Sequence, residues 1–185
     1  MPPPRKIKKE DIINVALEIL KKEDIESLNA RRIAKELNSS VQPIYHNFEN
    51  MEDLKEVVFK EIYKIYQAYM VKASLKEKAY KEMGLAYIKF ARDYPNYFKL
   101  IFMSKTDFTP ESLISNDDTG NDVINTGMKL TGFSYEEQRK FHVKVWMFTH
   151  GIASLVATNT VKLTEREIDD LLRDTVGAMI EGMKK

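Results

Sequence analysis

Apolar residues recur along this chain at intervals of three and four, segment after segment, and no stretch alternates convincingly one by one as a strand would. Ile12, Ile13, Ala16, Leu17, Ile19 and Leu20 make one such stripe, with Lys8, Lys9, Glu18, Lys21 and Lys22 on the opposite face. A chain patterned this way folds as an all-α protein, each helix burying one side.

Start and stop residues divide the pattern into about nine helices. Asn29 is placed to cap a helix over Ala30 to Leu37, which points Ile33, Ala34 and Leu37 inward. Asn38 can adopt the left-handed conformation that ends it. Ser40 is then expected to cap a third helix, with Pro43 in its first turn, where a missing N–H costs nothing. Asn50 opens a long fourth helix, from about Met51 toward Met70. Further helices are expected over 76 to 93, 96 to 103, 121 to 131, 134 to 159 and 165 to 183. Ser134 with Glu137, and Thr164 with Glu167, have capping-box spacing at the last two starts. Residues 104 to 120, with Pro110, Gly120, Asp107, Glu111, Asp117 and Asp118, read as an acidic loop. The expected division is a small N-terminal unit, 1–50, followed by a larger helical one, 51–185.

Composition narrows the function classes. Charged residues make up 31% and the hydrophobic set 43% of 185 residues, as in a soluble globular protein. A net charge of +1 gives no global bias toward nucleic acid, but Arg5, Lys6, Lys8 and Lys9 precede the first acid, Glu10, and such a basic arm could lie along phosphates. The chain has no cysteine, hence no disulfide framework or thiolate chemistry. No apolar run follows the basic residues of MPPPRKIKKE, so it does not read as a signal peptide. The longest apolar stretch, Phe141 to Ala157, is broken by His142, Lys144 and His150 and is shorter than the roughly 20 residues of a membrane span. A cytoplasmic protein is the expectation.

Two short helices joined by about three residues make a helix-turn-helix, whose second helix enters the DNA major groove. Within SSVQPIYHNF, residues 39 to 48, the polar groups of Gln42, Tyr45, His46 and Asn47 have no obvious protein partner. Gln42 could pair bidentately with adenine and Val41 could meet a thymine methyl. Arg31 is placed for a phosphate or a base, and Asn29 and Ser40 stand at the helix starts that meet the backbone. The competing reading is two helices that pack together with their polar residues facing water.

The segment RRIAKELNSSVQPIYHNFENMEDL, and more broadly Ile12 to Val58, resembles the DNA-binding domain of TetR-family transcriptional repressors. Ile33, Ala34, Ser40, Ile44, Tyr45, Phe48, Glu52 and Leu54 match that pattern across three helices without a gap. The departures are Asp24 and Asn38 where Gly is usual, Asn47 in place of a His, and Met51 in place of a Lys that commonly reaches a phosphate. Loss of that cation should flatten the salt dependence of binding by about one unit of slope, leaving the backbone N–H groups at that helix start available.

The resemblance implies a homodimer built through the last two helices, and a small-molecule effector in the C-terminal half that moves the fourth helix. A stripe of Ile168, Leu171, Leu172, Thr175, Val176, Met179, Ile180 and Met183 supports the seam independently, with Gly177, Ala178 and Gly182 on an adjoining face. Two-fold symmetry would set two recognition helices on a palindromic operator. Candidate pocket residues are Tyr66, Tyr87, Phe90, Tyr94, Phe98, Phe102, Met103, His142, Trp146 and His150, which suit an apolar or planar effector under an acidic-loop lid; the same spacing also describes ordinary core. His142 and His150, eight positions and roughly 12 Å apart on a helix, cannot share one metal unaided.

Neither metal nor cofactor is expected. The enzymatic alternative rests on Asp169, Asp170 and Asp174 in DDLLRD, which are reminiscent of helical magnesium-dependent enzymes, but these carboxylates lie off the apolar stripe. A further alternative is a helix-turn-helix regulator or architectural protein with no small-molecule ligand.

Overall fold

The computed structural model describes residues 7–104 and 118–184, all of its regular structure helical. Helices α1 (Lys9–Lys22), α2 (Ala30–Glu36) and α3 (Gln42–Asn47) form the N-terminal unit, with a 3-10 turn at Ile25–Ser27. A 24-residue α4 (Met51–Ser74) leads into α5 (Ala79–Asp93), α6 (Pro95–Phe102), α7 (Asp118–Thr131), α8 (Tyr135–Ala157) and α9 (Glu165–Met183). Arg5 and Lys6 of the basic arm and most of the expected acidic loop lie outside the described residues. Residues 118–120, expected in that loop, instead belong to α7.

The caps follow the sequence closely. Asn29 Oδ1 accepts the Arg32 N–H at 3.0 Å, and Asn50 Oδ1 accepts those of Glu52 and Asp53, both at 2.9 Å. Ser134 and Glu137 close a reciprocal capping box at α8, as Thr164 and Glu167 do at α9. Asn38 takes φ 50°, so α2 ends in the left-handed conformation and the Ser39 N–H returns to the Ala34 carbonyl at 2.9 Å. Ser40 is not a cap: Val41 holds that position and contributes no side-chain bond. The Ser40 carbonyl accepts the Ser39 hydroxyl, and the turn runs one residue longer than expected.

One continuous cluster of buried residues runs from end to end. In the first unit Ile12, Ala16, Ile33, Ile44 and Phe48 close on Leu54 and Val58 of α4. Further along the same helix, Ile62, Tyr66 and Met70 pack into the second unit with Tyr87, Phe90, Phe98 and Phe141. Helix α6 lies against α1, where the Tyr97 hydroxyl donates to the Leu17 carbonyl at 2.8 Å. Lys21 of α1 sits 5.6 Å over the Tyr94 ring. No described helix is long and apolar enough to cross a membrane.

Candidate nucleic-acid interface

Burial of Ile33, Ala34, Ile44 and Phe48 fixes which way α2 and α3 face, because at 100° per residue their neighbours must point outward. Gln42, Tyr45 and His46 accordingly stand exposed on α3, Tyr45 at 52%. Arg31 on α2 is exposed with no ion pair among the described residues. Its neighbour Arg32 is held by Glu23 at 2.8 Å and Glu36 at 2.9 Å. Adjacent arginines thus divide the work: one ties α2 to α1, and the other keeps its charge free. Lys9 over the Phe48 ring, 4.7 Å from its centre, clamps the end of α3 to α1.

Three expected contacts are altered. Asn47 does have a protein partner: its amide donates to the Pro43 carbonyl at 2.7 Å, one turn back in α3, so its donor is already used. The Asn29 amide is engaged on both sides, accepting from Arg32 and donating to the Ser27 carbonyl at 3.3 Å. At the start of α4, Asn50 occupies two of the N–H groups expected to be open. Val41 is half-buried against the core and Ser40 is exposed.

In the C-terminal unit most of the candidate aromatics pack on one another. Tyr66 meets Phe90 and Phe102 at ring separations of 5.5 and 5.1 Å, Tyr87 meets Phe98 at 5.4 Å, and Tyr94 joins through Phe90 at 5.8 Å. Trp146 stacks on His150 at 4.9 Å. Met103 differs, standing 44% exposed beyond the end of α6. Two cavities bounded by described residues, about 670 and 770 Å³, are lined by none of the ten.

The two histidines of α8 are satisfied within the chain. His142 Nδ1 is 3.0 Å from the Tyr80 hydroxyl, and His150 Nδ1 is 3.0 Å from that of Tyr87. Burial lowers the His142 pKa to about 4 and lowers that of His150 as well, so both rings are neutral near pH 7. Tyr80 and its neighbour Gln138 are additions to the expected residues; Gln138 is a fully buried amide whose Oε1 accepts the Thr131 hydroxyl at 2.7 Å. A signal was present: tyrosines seven apart on α5 face histidines eight apart on α8. Among the described residues no group of His, Asp or Glu is arranged to hold a metal ion. The aspartates of DDLLRD are paired with cations, Asp169 with Lys81, Asp170 with Arg173 at 2.7 Å, and Asp174 with Arg173 at 3.0 Å.

The residues expected to form a seam on α9 also divide. Ile168 and Leu172 are buried within the chain at 3% and 5% exposure, which removes them from any surface seam. Val176, Met179, Ile180 and Met183 are partly covered by the chain's own core, whereas Leu171 is 40% exposed. On α8 Tyr135 is exposed at the start, and in the second half Met147 and Leu155 are exposed with the exposed Gly151 between them.

A helix-turn-helix with an open outer face, carried on a long helix rooted in an all-helical body, defines a DNA-binding regulator. The chain belongs to the TetR family: residues 12–58 match the bacterial regulatory proteins of the tetR family, and residues 80–179 the tetracyclin repressor-like C-terminal domain. Its fold is similar to that of a protein of unknown function from Rhodococcus sp. RHA1, at 14% identity and TM-score 0.69 over 100% of both chains. It is also similar to a TetR variant from Acinetobacter baumannii AYE crystallised with minocycline, at 16% identity and TM-score 0.57 over 97% of both chains. Comparison with curated protein sequences gives no match.

Proposed function

We propose that the chain is a homodimeric, non-enzymatic repressor in which residues 1–50 read a palindromic operator and residues 51–185 dimerise and bind the small molecule that releases it. The observation that carries the reading is the outer face of α2 and α3. Arg31, Gln42, Tyr45 and His46 are exposed there, while the apolar residues between them are anchored in the core. Gln42 and Tyr45 serve base edges, and Arg31 serves a phosphate or a base.

The dimer is supported by glycines with no use inside one chain. A Cβ at Gly151 or Gly182 would meet nothing within 4 Å, yet each sits within a helix, where glycine costs up to about 1 kcal/mol against alanine. Gly151 between Met147 and Leu155, and Gly182 in line with Leu171, Thr175 and Ala178, let a second copy approach closely. The proposed seam therefore lies on this flank of α8 and α9. Release by a small molecule rests on the family and on the minocycline bound by the Acinetobacter relative.

Fluorescence-anisotropy titration against DNA upstream of the chain's own gene, with scrambled DNA as control and across a salt series, tests this reading. Tight selective binding of two subunits per site is expected, weakened by Tyr45→Ala and Arg31→Ala with the dimer intact. Unchanged operator affinity in both variants would overturn the assigned reading face. The mutually packed aromatics favour a second reading, a regulator with no small-molecule ligand, distinguished by the absence of any ligand-induced rise in melting temperature.

A further inference from the structure

The cavity of about 670 Å³ lies where α5 begins, bounded by α7, α8 and α9, and its size falls in the usual range of small-molecule sites. Most of its wall surface is apolar, from Leu130, Val145, Leu172, Val176 and Ile180, with Tyr80 as its one aromatic residue and the hydroxyls of Thr126 and Thr149 among them. Such walls suit a flexible hydrocarbon better than a planar ring.

The charges around it are uneven. Lys76 is paired with Glu82, Lys81 with Asp169, and Arg173 with Asp170 and Asp174. Lys78 and Lys129 also line the cavity, and neither has an ion pair among the described residues; Glu77 is the one acid with them. Lys78 lines the cavity from the start of α5, and Lys129 from the face of α7 that also carries Thr126 and Leu130. The first turn of α5 lines the same cavity with no side-chain cap. A largely apolar pocket edged by two lysines that have no ion pair among the described residues is complementary to a chain with an anionic head.

We propose that this cavity binds an aliphatic carboxylate, its hydrocarbon against Val145, Leu172 and Val176 and its head between Lys78 and Lys129. The site is separate from the proposed seam, because Leu172 and Val176 lie roughly 100° round α9 from Leu171 and Thr175. As the ligand of a regulator, the carboxylate rests on the function proposed above; its binding is read directly and stands apart from operator release.

Isothermal titration of the full-length protein with sodium decanoate tests the site, with decanol as the uncharged control. One decanoate per chain is expected, with decanol at least tenfold weaker. The Lys78→Glu/Lys129→Glu double variant should bind decanoate at least tenfold more weakly; both side chains are exposed, so its fold is retained. Glu77→Gln should tighten binding severalfold. Gly84→Leu, built where a Cβ meets only Leu172 Cδ1 at 3.8 Å, should occupy the pocket and abolish binding. No saturable binding, equal affinity for decanoate and decanol, or a double variant that binds as tightly as the original overturns the proposal.

Discussion

The hydroxyl of Tyr97 donates to the carbonyl of Leu17 across 80 residues of sequence, tying α6 of the C-terminal unit to α1 of the N-terminal unit. Tyr97 is 2% exposed, and burial pushes its pKa up to about 12, so the hydroxyl keeps its proton. Tyr97→Phe retains the ring and removes this one bond. It should lower stability by about 1 kcal/mol in urea unfolding, and a variant as stable as the original would show that the bond contributes nothing.

Gly127 is required by a close approach rather than by its backbone angles. A Cβ there would fall 2.0 Å from Gln138 Nε2 and 2.9 Å from the Tyr80 ring. Gln138 is fully buried and held by Thr131, so it has little room to move. Gly127→Ala should therefore destabilise the protein by about 1–3 kcal/mol, although alanine is the better helix former. A rise in the unfolding midpoint would mean that the amide swings aside freely.

Acid should weaken the fold through His142. Its pKa falls from 6.5 to about 4 on burial, so between those values the unfolded chain binds more protons than the folded one. Stability is full above about pH 6.5 and declines as pH drops toward 4, by on the order of 3 kcal/mol. His150, also depressed, acts in the same direction. Replacing His142 with Gln should flatten the stability profile through this window; a profile of unchanged slope would assign the acid sensitivity elsewhere.

Arg31 and Arg32 offer a matched pair. Arg31→Ala should leave the melting temperature within about 2 °C of the original and reduce the slope of log affinity against log salt by about one. Arg32→Ala, which breaks the links to Glu23 and Glu36, should act mainly through stability. Thermal melting combined with a salt series separates them, and reversed phenotypes would exchange their roles.

Local rules were the most legible part of the sequence. Asn29, Asn38, Asn50 and the two capping boxes act through atoms within a few residues, so spacing alone placed them. The failures were choices between local options. Ser40 and Val41 could each begin α3, and the Asn47 amide could turn to solvent or back to Pro43. Facing on α9 was harder still. Its apolar stripe is wide enough to serve two neighbours, and only the position of α5 shows that Ile168 and Leu172 are used inside the chain. Gln138 was invisible because a buried amide has no signature apart from the glycine opposite it.

Helix α4 runs from the first unit into the second with no glycine or proline among its 24 residues. Such a helix is a beam about 36 Å long, rooted at one end beside Leu54 and at the other beside Met70. It has no joint at which the two units could swing independently. A tilt of one degree about Tyr66 displaces Asn50, about 24 Å away along the axis, by about 0.4 Å.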